Sequence, residues 1–182
     1  MAMRMLAAGG VDVVDDGARP ADAANPHGYF EDARAKRLRD DATWLTGCVG
    51  RAVKIVLPLL PYVPRGIACD VIVLRRALGD VLASQRALLA LAGSPPSDAG
   101  GDEATLAASF ERSFAAAAAW WNGRPDVRTL NLDYDAVVGD PASAAGSIAE
   151  FLARPLDRRA MARAVDRVLS RGRRLVAEGA RS

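Results

Sequence analysis

The stretch that decides the fold is "VIVLRRALGDVLASQ", Val71 to Gln85. It opens as an apolar, β-branched run, breaks at Arg75 and Arg76, and resumes with leucine, valine and alanine at helical spacing. A continuous Val/Ile/Leu run suits a strand covered on both faces, as in a parallel sheet. Beyond the arginines, Leu78, Val81, Leu82, Gln85, Leu88 and Leu89 share one helical face. In open α/β sheets ligands sit beyond the carboxyl ends of the strands, and that is where Arg75 and Arg76 fall. Asp80 and Ser84 lie four and eight residues past Arg76. An arginine fork at a strand end, with a hydroxyl on the next helix, can hold a phosphate by charge-assisted hydrogen bonds. The same spacing also fits an arginine that caps a sheet edge and a serine that merely packs.

Working outward, strand and helix patterns alternate. "MAMRMLAA" reads as the end of a helix stopped by Gly9-Gly10, and "VDVV" as a short strand. "ARPADAANPHG" is a loop leading into a helix from about Glu31 to Arg39, and "RAVKIVLP" is a buried strand ended by Pro58. A long helix, Ala104 to Trp121, carries Leu106, Phe110, Phe114 and Trp121 down one side. "DVRTLNLDY" is a strand, and a helix from Pro141 to about Leu152 follows "DAVVGDP". The remainder is arginine-rich helix with breaks near Ser170 to Gly172. Strands alternating with helices predict βαβ crossovers and a single α/β domain with a parallel sheet over residues 1–182.

Composition narrows the function classes. With 51% hydrophobic and 25% charged residues, the chain reads as an ordinary soluble domain. A net charge of +2, and arginines without interleaved aromatics, argue against a nucleic-acid partner. From Arg154 to Ser182, nine arginines face three acids. That basic helical tail either closes over a polyanionic ligand or is a solvated helical face.

Cys48 and Cys69 form no CxxC and His27 is the only histidine, so no zinc or disulfide framework is expected and a reducing cytoplasm fits. Lys54, Pro58 and Pro61 interrupt the longest apolar stretch, and Asp12, Asp15 and Asp16 follow the apolar start, so neither a membrane span nor a signal peptide is expected. Only Lys36 and Lys54 are lysines among 24 basic side chains. A lysine within an apolar strand pattern either meets charge on a ligand or snorkels from a strand edge.

The segment from Val71 resembles the 3′-phosphate-binding segment of sulfotransferases that use 3′-phosphoadenosine 5′-phosphosulfate (PAPS), with Arg76, Asp80 and Ser84 at that family's spacing. "RAVKIVLPLLPYVP" resembles the family's preceding strand, and "TLNLDYDAVVGDP" the later strand whose tyrosine approaches adenine. "ANPHGYFED" is similar to a loop of short bacterial members. The likeness runs in order from about Met3 to Leu169.

The resemblance implies a three-layer α/β/α fold with a parallel sheet, of the P-loop nucleoside-kinase-like kind. It implies transfer of a sulfuryl group from PAPS to a hydroxyl or amine of a small-molecule or glycan acceptor, without a metal, leaving adenosine 3′,5′-bisphosphate. Arg76 and Ser84 would hold the 3′-phosphate and Tyr134 the adenine, while Arg171, Arg173 and Arg174 fold over the nucleotide phosphates. Lys54 would act on the oxygen bridging phosphorus and sulfur.

The chain departs from that pattern twice. The first strand and the phosphosulfate-binding loop are missing, so the chain reads as starting midway through the first βα unit. Val56 also stands where better-known members have a histidine base. His27 is then the candidate base, with Glu31 as the other. These departures leave open a non-catalytic relative that binds a nucleotide or a protein partner. Trp120-Trp121 read as anchors for the long helix, and Trp44, beside Asp40-Asp41, as a flank of an acceptor pocket.

Overall fold

The computed structural model describes residues 1–21, 25–77, 79, 81 and 103–165. Its sheet is built from β1, Cys69–Arg75, and β2, Val127–Asp133, paired in parallel. The register runs from Cys69 opposite Val127 to Arg75 opposite Asp133, so the two carboxyl ends finish level. The crossover between them carries the long helix, Glu103–Asn122. The chain is therefore mixed α/β, with a small parallel sheet, as the apolar run beginning at Val71 predicts.

The strand period of two divides β1 between two cores. Ile72 and Leu74 pack with Met5, Val137, Ile148 and Met161. Val71 and Val73 pack with Leu45, Leu60, Ala117 and Trp121. The first core joins α1, Ala2–Ala8, to three helices that follow β2, and the long helix, here α2, belongs to the second. Those three are α3, Tyr134–Gly139, α4, Pro141–Leu152, and α5, Arg158–Arg163.

Local chemistry sets the helix ends. Asp140 caps α4 by accepting the Ser143 N–H at 3.0 Å, with Pro141 in the first turn where its missing N–H costs nothing. Ala144, Ala145, Ile148 and Ala149 form the buried stripe of α4, and the small alanines let α5 come close. Gly9 ends α1 against Met161, where an added Cβ would lie 2.7 Å from Met161 Cγ. Met161 is itself fully buried, so that contact has little room to yield.

Several sequence expectations need correction. "RAVKIVLP" does not form a ladder: only Ala52 pairs, through one parallel bridge to Val13, which is also all that "VDVV" contributes. Pro58 and Pro61 cannot donate to a ladder, and Leu57–Tyr62 closes into a 3₁₀ turn instead. The expected helix over 31–39 is a 3₁₀ turn, Ala33–Arg37, because the Asp32 carboxylate accepts from the Arg34 amide and starts the turn there. Tyr134 opens α3 rather than closing β2, since the Asp133 carboxylate caps the Ala136 N–H at 2.8 Å. On α2, Phe114 and Trp121 meet edge to face at 5.7 Å, whereas Phe110 is exposed. Of the predicted helix after Arg76, Gly79 and Val81 are described and helical, with the Val81 amide donating to the Ala77 carbonyl at 3.2 Å; its remainder and the tail beyond residue 165 lie outside the described residues.

A buried guanidinium pins the amino end of the sheet. Arg124 donates to the carbonyls of Val63 and Ile67 at 3.0 Å each, and forks onto Asp126 at 3.0 and 2.6 Å. That hydrogen bonding holds the Asp126 carboxyl down at about 2.

Candidate functional site

The parallel register carries one residue past each strand. Arg76 follows β1 and Tyr134 follows β2, and the Arg76 guanidinium sits 4.6 Å from the centre of the Tyr134 ring. Arg75 turns the other way, its guanidinium 4.9 Å from the Phe114 ring on α2. Adjacent strand residues point to opposite faces, so only one of the two arginines shares a surface with Tyr134. A cation over an aromatic face is held by the ring's quadrupole, which orders both groups. Arg76 covers one face of the Tyr134 ring. Ser84 and Asp80, expected on the next helix, and Arg171, Arg173 and Arg174 in the tail, lie outside the described residues.

Lys54 lies on an extended segment, half-exposed, with its ammonium turned onto the loop before residue 33. It donates to the Tyr29 carbonyl at 3.1 Å and to Glu31 Oε1 at 3.0 Å. Glu31 also meets Lys36 at 3.3 Å and Arg19 at 3.7 Å. Burial pushes the Glu31 carboxyl up, but the hydrogen bonds and charges of Lys54 and Lys36 outweigh it and hold the group below its ordinary value. Both lysines of the chain thus converge on one carboxylate.

His27 occupies an exposed turn closed by the Gly28 N–H on the Asn25 carbonyl at 3.1 Å. Pro26 supplies the fixed φ of such a turn, and Gly28 adopts φ +80°. Two residues on, Phe30 holds φ +50°, a left-handed conformation that costs a non-glycine residue about 1–2 kcal/mol. Val56, where the resemblance leads one to expect a histidine, is 54% exposed and caps the 3₁₀ turn at Leu57.

Trp44, Asp40 and Asp41 do line one cleft, together with Arg34 and Arg37. Arg34 forks onto Asp32 at 2.9 and 2.7 Å and lies 4.6 Å over the Trp44 ring. Among the described residues, the buried indole N–H of Trp44 makes no hydrogen bond. Asp41 is occupied by the Thr43 hydroxyl and amide, which hold its carboxyl below the ordinary range.

The structure therefore brings predicted residues together in pairs, Arg76 with Tyr134 and Lys54 with Glu31. Sequence reading missed Arg19 and Lys36 as partners of Glu31. The scarcity of lysine was the available signal, since it marked Lys36 as well as Lys54. Among the described residues no group of three or more His, Cys, Asp or Glu side chains is placed to hold a metal, and no helix is long and apolar enough to cross a membrane. No protein-family model, curated protein or solved structure matches the chain.

Proposed function

We propose that the carboxyl ends of β1 and β2 form a site for a phosphorylated adenine nucleotide, and that the chain is a PAPS-dependent sulfotransferase domain. The observation that carries this reading is the level parallel register, which sets Arg76 beside Tyr134 where α/β sheets bind ligands. Arg76, with Ser84, takes the 3′-phosphate; Tyr134 takes the adenine. The finer architecture belongs with the same reading: a wider parallel sheet with helices on both faces, of the nucleoside-kinase-like kind.

In the reaction an acceptor hydroxyl or amine attacks sulfur. The bond from sulfur to the bridging oxygen breaks, and adenosine 3′,5′-bisphosphate leaves with that oxygen. Lys54 offsets the charge that grows on it. The acceptor's proton goes to a base, for which His27 is the better candidate, because a carboxyl held below its usual value, as in Glu31, is the weaker base.

Two observations favour a second reading, a binding-only protein of the same fold. Lys54 is engaged by Glu31, and Val56 offers no proton acceptor. Calorimetry separates the nucleotide reading from none. Adenosine 3′,5′-bisphosphate is expected to bind at least tenfold more tightly than adenosine 5′-monophosphate, since only the former carries the group assigned to Arg76. Equal affinities would remove the assignment. Sulfate transfer from PAPS then distinguishes the enzyme from the binding protein.

A further inference from the structure

The Lys54 ammonium grips both neighbours of a strained residue. Its bonds go to the Tyr29 carbonyl and the Glu31 carboxylate, and between them Phe30 holds φ +50°. A left-handed aromatic residue persists only where its surroundings over-determine it. Here Arg19 covers the Tyr29 ring at 3.4 Å, and the Asp16 amide donates to the Glu31 carbonyl at 3.1 Å. The Ala33 amide donates to the Asp16 carboxylate at 2.7 Å, so the loop is stitched on both sides.

The charges in this cluster are unequal in a useful way. Glu31 faces three cations, at 3.0, 3.3 and 3.7 Å. It can surrender Lys54 and remain paired with Lys36 and Arg19. Lys54 has no such freedom: with a carboxylate 3.0 Å from Nζ, its attraction for a second anion is largely offset, and that anion is repelled by Glu31.

We propose that Glu31 is an autoinhibitory latch on Lys54: its carboxylate competes with a phosphate or sulfate ester for the ammonium, and an anion that wins Lys54 releases residues 29–31. The inference rests on the nucleotide reading above, in which Lys54 meets the group at the 5′ end. Release lets Phe30 leave the left-handed region, which offsets part of the cost of opening.

The test uses the full chain and adenosine 3′,5′-bisphosphate. Glu31→Gln removes the competing charge and is expected to bind the bisphosphate about fivefold more tightly than the unaltered chain. In the unaltered chain, the bisphosphate is expected to speed hydrogen exchange at the Asp16 amide about fivefold, because its acceptor is the Glu31 carbonyl. Exchange at Asp16 that stays constant or slows on binding overturns the latch, whatever the variant does. If both chains bind equally well and still reject adenosine 5′-monophosphate, the latch fails and the nucleotide reading stands. If neither chain binds, the nucleotide reading fails and the latch with it.

Discussion

Replacing Arg124 with methionine is expected to cost about 3 kcal/mol and to lower the melting temperature by about 6–12 °C. The side chain is 2% exposed, and its donors serve Val63, Ile67 and Asp126 together. Methionine fills much of the same volume but leaves two backbone carbonyls without a donor and Asp126 without its cation. Lysine is not expected to rescue the site, because a single ammonium cannot span two carbonyls and a carboxylate in the geometry of a planar fork. Acid should loosen the same pin. The Asp126 carboxyl is depressed to about 2, so its contribution is complete above the ordinary carboxylate range and is lost as pH falls towards 2. Arg128 provides the contrast. It forks onto Asp70 at 2.7 Å across the same two strands, directly in register, but on the surface. Arg128→Met should barely move the melting transition, because exposed pairs pay for their attraction in solvation and side-chain freedom.

Arg76→Lys is expected to weaken adenosine 3′,5′-bisphosphate binding about tenfold or more, the equivalent of roughly 1.5–3 kcal/mol for a charge-assisted hydrogen bond. The lysine keeps the charge but not the fork, and its compact ammonium cannot spread over the Tyr134 ring as the guanidinium does. Arg75→Lys is the matched control. Its guanidinium lies against Phe114 on α2, so affinity should change less than threefold. Isothermal titration of both variants checks the order, and a larger loss from Arg75→Lys would move the phosphate to the opposite face of the sheet.

What the sequence disclosed depended on the range of the forces involved. The run from Val71 to Arg75 reads as a parallel strand because every residue in it is apolar until the arginines, and both of its faces do pack. The helix from Pro141 to Leu152 is equally legible, since cap, first-turn proline and apolar stripe all lie within one segment. The Lys54 segment misled for a physical reason. Its composition is that of a strand, but a strand exists only with a partner, and the prolines that follow turn the chain away after one bridge. The pairing of Arg76 with Tyr134 was implied by two strand ends, yet their adjacency required the register. The gathering of Arg19, Lys36 and Lys54 on Glu31 depends on contacts across 12 to 23 positions for Arg19 and Lys54, and no local pattern encodes them. Arg124 was equally invisible. Burial, not sequence, separates it from the other arginines among the described residues.

The central claim, a nucleotide site at the carboxyl ends of β1 and β2, is tested most directly by amide chemical-shift mapping during titration with adenosine 3′,5′-bisphosphate. The largest shifts are expected at Arg75, Arg76, Asp133 and Tyr134, with Asp70, Arg124 and Arg128 at the opposite end of the same strands unchanged. Shifts concentrated at Asp70, Arg124 and Arg128, or a spectrum that does not change at millimolar nucleotide, would contradict it.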